Sequence, residues 1–300
     1  MTATAHGAHG GFDLTLTLER DDLLPGSLID GMVRIGSRDG GEIRGARVTL
    51  VGTESWRYDT TTTDGQGHMH SETRTGHEDL PHVPVQVLGA TTIAAGERRD
   101  IPIQLPVPGL GPPSFDGTEI HVDWEARLNL DVPGFDPDLA LPVIVHQPTA
   151  LLRAGVIDLG AFALFEEADV EADGLRGTFH VDPVPLVIGA PFHGRLVLEM
   201  GAASNVQEVR VELRVEAKST VSGGRKETIT LWSGRLAGEG AFGGGSTTLQ
   251  FDGELPSRPL PSLRTEHGRA DAAFHVVLAT AWAKDPHLVR DIAICTTAEL

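Results

Sequence analysis

The sequence predicts an all-β chain organised as two tandem immunoglobulin-like antiparallel β-sandwich domains, and three observations carry that prediction. Ile120, Val122, Trp124, Ala126, Leu128 and Leu130 alternate with His121, Asp123, Glu125, Arg127 and Asn129, the period-2 pattern of a long strand buried on one face. Short alternating runs separated by Gly- and Pro-rich turns recur along the chain without a convincing 3.6-residue period, as in an antiparallel sandwich. The second half also repeats elements of the first in the same order, the signature of a duplicated unit.

In chain order, residues 1–11 are expected to form a disordered tail, and Phe12–Leu18 reads as the first strand. Pro25 and Gly26 set a tight turn, and Gly31 stands where the next strand bends or a neighbouring backbone comes close. Residues 43–54 form a strand ending at Trp56. The threonine-rich stretches on either side of Asp64-Gly-Gln-Gly67 then read as an exposed hairpin. Residues 83–88 and 99–105 are two short strands that their prolines place near sheet edges. The Trp124 strand and residues 139–145 complete the first domain, at residues 12–147, and His146-Gln-Pro148 reads as a hinge.

The second domain is expected at residues 150–298. Residues 157–165 are strand-like and residues 166–173 form an acidic connection. Gly189 and Gly194 repeat the separation of Gly26 and Gly31 ahead of another alternating strand. Residues 205–217 parallel 43–54, Gly238 to Gly245 reads as a flexible connection, and residues 272–282, carrying Trp282, correspond to the Trp124 strand.

A chain of 300 residues suits two domains, each large enough to bury a core without staples. The single cysteine, Cys295, cannot form an intrachain disulfide and reads as a small core residue, so a reducing, cytoplasmic location is expected. The N-terminus carries neither a basic start nor an apolar run, and no stretch is apolar enough to span a membrane. A formal net charge of −18 repels phosphate backbones and anionic lipids, so neither nucleic acid nor a membrane is expected as partner.

The matched elements resemble the arrestin fold. The resemblance rests on Leu24-Pro-Gly26 with Gly31, on Ile43-Arg-Gly-Ala-Arg-Val-Thr-Leu-Val-Gly-Thr-Glu54, and on Pro113-Ser-Phe-Asp-Gly117 ahead of the long strand. In the second half it rests on Leu255-Pro-Ser-Arg-Pro-Leu-Pro-Ser262 and the strand of Phe274, Val276 and Leu278. It covers residues 12–297 and implies a non-catalytic adaptor or scaffold of the bacterial, sporulation-control type, which binds proteins through concave faces, edge strands and loops. The first domain has no lysine, and Pro112-Pro113-Ser114-Phe115 is not a proline-proline-x-tyrosine motif. Receptor desensitisation is therefore not implied, and the protein partner is undefined.

Strand addition is expected along Phe12–Leu18 as a first-domain edge, with Phe12, Leu14, Thr15, Thr17 and Trp56 as contact residues. The sharpest chemical signal is histidine clustering in the hairpin. His68 and His70 project from one strand face, so a zinc would use these two and take a third ligand from His77 or from the partner strand. Solvated loop histidines are commoner, and no cofactor is expected. Gly238-Glu-Gly-Ala-Phe-Gly243 matches a dinucleotide fingerprint. The residues after it, Gly244-Gly-Ser-Thr-Thr-Leu-Gln-Phe251, read as strand, so no helix N-terminus could receive a pyrophosphate. The alternative function is a small-ligand or carbohydrate-binding sandwich with aromatic platforms. Trp124 and Trp282, however, lie on what reads as the inward face of their strands.

Overall fold

The computed structural model describes residues 2–155, 163–172, 174–200, 204–242, 245–280 and 285–298. Their regular secondary structure is nearly all strand, and no helix among them is long and apolar enough to cross a membrane. The chain divides into two compact units. Unit 1 holds Met1–Ser55, His77–Ser114 and His121–His146; unit 2 holds Trp56–Gly76, Phe115–Ile120 and Gln147–Leu300.

The strands up to the division at residue 146 begin with β1 (Ala3–His9), β2 (Phe12–Leu18), β3 (Asp22–Leu23), β4 (Leu28–Ser37) and β5 (Gly41–Ile43). Next come β6 (Gly45–Thr63), β7 (Met69–Asp79), β8 (Pro84–Leu88), β9 (Thr91–Ile93) and β10 (Arg98–Pro106). The series ends with β11 (Phe115–Asp116), β12 (Ile120–Asp131) and β13 (Asp138–Val145). One antiparallel sheet runs β1-β2-β4-β10. The other runs β3-β13-β12-β6-β7, with β8 beside β6, β11 beside β12, and β3 joined to β13 in parallel. Alternation along β12 falls as the sequence dictates: Ile120, Val122, Trp124, Ala126, Leu128 and Leu130 are all buried. Leu14, Leu16, Leu18, Val33 and Ile35 of the first sheet are buried likewise, which gives a β-sandwich-like arrangement.

The N-terminus departs from expectation in two respects. Residues 3–9 are not a disordered tail but strand β1, paired with β2 in register from Ala3 opposite Leu18 to His9 opposite Phe12. Ala3, Ala5 and Gly7 are half-buried, and a Cβ on Gly7 would lie 3.2 Å from the side chain of Leu139. Small residues let this strand lie close over β13, and their weak hydrophobicity hides it from a periodicity argument. As a result Phe12–Leu18 is an interior strand, with β1 on one side and β4 on the other, and not an edge.

The chain continues through the short helix α1 (Thr149–Arg153), β14 (Glu167–Ala172), β15 (Leu175–Asp182), β16 (Leu186–Val187) and β17 (Pro191–Met200). Then come β18 (Ser204–Ser219), β19 (Lys226–Ala237), β20 (Gly240–Phe242) and β21 (Gly245–Glu254). Last are β22 (Leu263–Arg264), β23 (Gly268–Thr280), β24 (His287–Ile292) and β25 (Ile294–Cys295). One sheet runs β14-β15-β17-β21, and another β19-β18-β23-β22 with β20 on β18 and β24 on β23. Strands β16 and β25 pair in parallel. The acidic connection expected at residues 166–173 is largely strand β14, because backbone pairing with β15 needs no apolar side chain on the outer face. Residues 157–162 of the expected 157–165 strand, Gly243 and Gly244, and Trp282 lie outside the described residues.

Aromatic rings fill the core of unit 2. Phe192 lies 5.3 Å from Trp232 and 5.8 Å from Phe274, ring centre to ring centre, and Phe251 joins the same cluster. Such offset and edge-on contacts are favoured by the ring quadrupoles. Cys295 is buried as expected of a core residue, and burial pushes its thiol up to about 12. The 147–149 segment pairs with the end of unit 2: Gln147 N donates to Thr296 Oγ1 (2.6 Å), Thr296 N to Gln147 O (3.1 Å) and Thr149 N to Thr297 O (3.1 Å).

Two buried serines make the same contact in each unit. Ser114 N donates to Val145 O (2.9 Å) while Ser114 Oγ accepts from Val145 N (3.0 Å). In unit 2, Ser262 N donates to Ile294 O (2.9 Å) and Ser262 Oγ accepts from Ile294 N (3.0 Å). Removing the hydroxyl strands a buried N–H, which costs about 1–3 kcal/mol. Ser262→Ala is expected to lower the unfolding free energy by about that amount, measured by urea denaturation at pH 7; an unchanged midpoint would show that water replaces the hydroxyl.

Candidate functional site

Among the described residues β1 pairs with β2 on one side and with no strand on the other. An unpaired edge presents a row of N–H and C=O groups ready to template another strand, and proteins usually guard it with charge or proline. The opposite edge of this sheet, β10, carries Arg98, Arg99, Asp100, Pro102 and Pro106. In unit 2, β14 carries Glu167, Asp169 and Glu171. Strand β1, Ala-Thr-Ala-His-Gly-Ala-His, has no carboxylate, lysine, arginine or proline. It is the unguarded one of these three.

The expected contact residues of Phe12–Leu18 are thereby redistributed. Phe12 and Leu14 are buried in the core. Thr17 Oγ1 lies 3.2 Å from Thr4 Oγ1, and Thr15 Oγ1 lies 3.0 Å from His6 Nδ1, so both threonines bond across to β1 rather than outward. Trp56 is half-buried, and its ring stacks on His267 at 3.6 Å with 5° between planes. Gly76 packs against that ring so closely that a Cβ there would come within 2.4 Å of it.

Within unit 2 an ionic cluster surrounds Arg225, at the start of β19. Its Nε donates to Glu119 Oε2 (3.0 Å), and its Nη1 lies 3.2 Å from each oxygen of Asp59. The backbone runs alongside: Asp59 N donates to Gly223 O (2.8 Å) and Arg225 N to Arg57 O (3.1 Å). Glu227 accepts the N–H groups of Thr118 (2.5 Å) and Glu119 (3.0 Å) through one carboxylate oxygen. Arg258 Nε donates to Asp116 Oδ2 at 2.6 Å. Glu119 is buried and faces two guanidinium groups, Arg225 at 3.0 Å and Arg57 at 3.8 Å. The Thr73 hydroxyl, and after it the Arg225 guanidinium, hold the Asp59 carboxyl below the usual carboxylate range, while Asp59 and Glu119 raise Arg225.

At the hairpin tip, Asp64 organises the turn. Its Oδ1 accepts the N–H groups of Gln66 and His68 (2.9 Å each), and Gly67 adopts φ +85°. Its Oδ2 lies 3.2 Å from His68 Nδ1 and 3.3 Å from His70 Nε2. Hydrogen bonds from the backbone of His68 first, then of Gln66 and from the two imidazoles, hold the Asp64 carboxyl below its usual range. His77 is exposed farther along β7 and belongs to unit 1, whereas His68 and His70 belong to unit 2. Asp64, expected only as part of a hairpin turn, is thus the group that joins two of the three histidines.

A groove of about 370 Å³ on unit 1 is lined by Arg47, Thr49, Asp79, His82, Arg127 and Asp138 among others, with no Phe, Tyr or Trp. The tryptophans among the described residues are occupied elsewhere. Trp124 is buried and its Nε1 donates to Pro112 O (3.1 Å), and Trp232 packs on Phe192.

The Arg225 cluster sets a pH dependence. Asp59 has a depressed folded-state pKa, so the unfolded chain binds the proton more readily. Its stabilisation is complete above the unfolded value, about 4, and is lost as pH falls through the folded value. Wild type is expected to exceed Asp59→Asn in urea midpoint at pH 7, and the gap to narrow as pH falls below about 4; a gap independent of pH would contradict the assignment. No protein-family model matches the chain, and a search of curated proteins found no match.

Proposed function

We infer that this chain is an arrestin-like, non-catalytic adaptor made of two tandem immunoglobulin-like sandwiches, which takes an extended segment of a partner protein by strand addition. Support for the doubled plan comes from strand order, which is β1-β2-β4-β10 in one unit and β14-β15-β17-β21 in the other. Gly26 and Gly189 both turn at positive φ (77° and 72°) ahead of β4 and β17. Gly31 and Gly194 are both positions where a Cβ would collide, at 2.6 Å from Thr17 O and 2.1 Å from Phe251. The paired serines Ser114 and Ser262 complete the correspondence.

One observation carries the binding mode: among the described residues β1 is a strand edge without Asp, Glu, Lys, Arg or Pro, in a chain of net charge −18. Backbone hydrogen bonds would supply affinity along it, and the outward side chains Thr4, His6 and Ala8 would read the partner. Among the described residues Trp56, Trp124 and Trp232 are each engaged by another group, which gives the carbohydrate reading no tryptophan platform there.

Successive residues of an antiparallel strand turn their N–H groups alternately toward and away from the neighbour. Of Ala5 and His6, therefore, one faces β2 and the other faces out. Proline at the outward position is expected to leave the urea midpoint close to wild type and to abolish capture of linear peptides selected from a displayed library on the intact protein. Equal retention of those peptides by wild type and by both proline variants would exclude this edge as the binding surface.

A further inference from the structure

We propose that Asp64, His68 and His70 form a binding site for one divalent transition-metal ion of the zinc type at the tip of the β6–β7 hairpin. Two imidazole nitrogens, His68 Nδ1 and His70 Nε2, face the same carboxylate oxygen at 3.2 and 3.3 Å. Zinc bonds of about 2.0–2.1 Å to nitrogen and oxygen place neighbouring ligands of a tetrahedron roughly 3.3 Å apart, so both nitrogen–oxygen edges already have the required length. His68 Nδ1 and His70 Nε2 stand farther apart than such an edge, and closing it takes rotation of the two side chains, which are 68% and 64% exposed.

The carboxylate is aimed before any ion arrives. Oδ1 is held by two backbone N–H groups, which turns Oδ2 toward the histidines. Gly65 and Gly67 have open space where a Cβ would stand, so nothing crowds the tip. In the metal-free protein each imidazole must present a proton to Oδ2 to make its hydrogen bond. An incoming cation takes the place of those protons, a neutral ring shifting its proton through solvent to its other nitrogen and a protonated ring releasing one, which leaves two neutral imidazoles and one carboxylate as ligands, with a further position for water. Mixed nitrogen and oxygen donors suit zinc, nickel or copper, and do not suit magnesium or calcium.

Isothermal titration of the full chain with zinc chloride tests the site. Wild type is expected to take up one equivalent saturably. Asp64→Asn, His68→Gln and His70→Gln are each expected to weaken binding about tenfold or more, while His82→Gln leaves it unchanged. In wild-type NMR spectra the imidazole resonances of His68 and His70 should move together with zinc and stay in place with magnesium. All four side chains are exposed, so far-UV circular dichroism of each variant should match wild type. Absence of saturable uptake, or uptake equally strong in the three ligand variants, would overturn the assignment.

Discussion

The buried serine that ties a proline-rich turn to the terminal strand of its unit is the contact on which the rest of each unit depends. In unit 1, Ser114 grips both the N–H and the C=O of Val145, the last residue of β13; in unit 2, Ser262 does the same to Ile294. Each serine comes directly after a proline, Pro113 or Pro261, whose missing N–H needs no partner in the buried turn. The turn then feeds the long central strand, β12 or β23, a few residues later. Fixing that entry point fixes the register of the strand, and a slip by one residue would move every core side chain to the solvent face.

Much of the fold is legible in the sequence because it is written in period 2. The alternation of β12, the positive-φ glycines before β4 and β17 and the Asp64 turn are local signals, each read from a few consecutive residues. Strand β1 is not legible, for a physical reason. Its burial relies on Ala3, Ala5 and Gly7, which give no apolar stripe, and its pairing relies on backbone groups that every sequence shares. Strand β14 is hidden similarly, its Glu and Asp suggesting a solvated connection.

The candidate sites are half legible. His68 and His70 stand out by composition and spacing, but the side chain that joins them reads as a turn former, although turn formers and ligands draw on the same carboxylate. Nothing near Arg225 in the sequence announces its partners. Asp59 and Glu119 are 166 and 106 residues away along the chain, and only the fold brings the three together. The 19-residue length of β6 has a weak signal: threonines continue past Trp56, and residues 56–63 are the part that belongs to unit 2.

The first strand also acts as a cover. Phe12–Leu18 carries an apolar row at alternate positions, buried on its core side, and nothing charged between Asp13 and its end. Proteolytic trimming of the leading residues would hand the role of outermost strand to this greasy, threonine-rich ribbon, and its newly bared backbone would seek the same ribbon in a neighbouring molecule. A short run of small and polar residues thus keeps that ribbon's backbone groups paired.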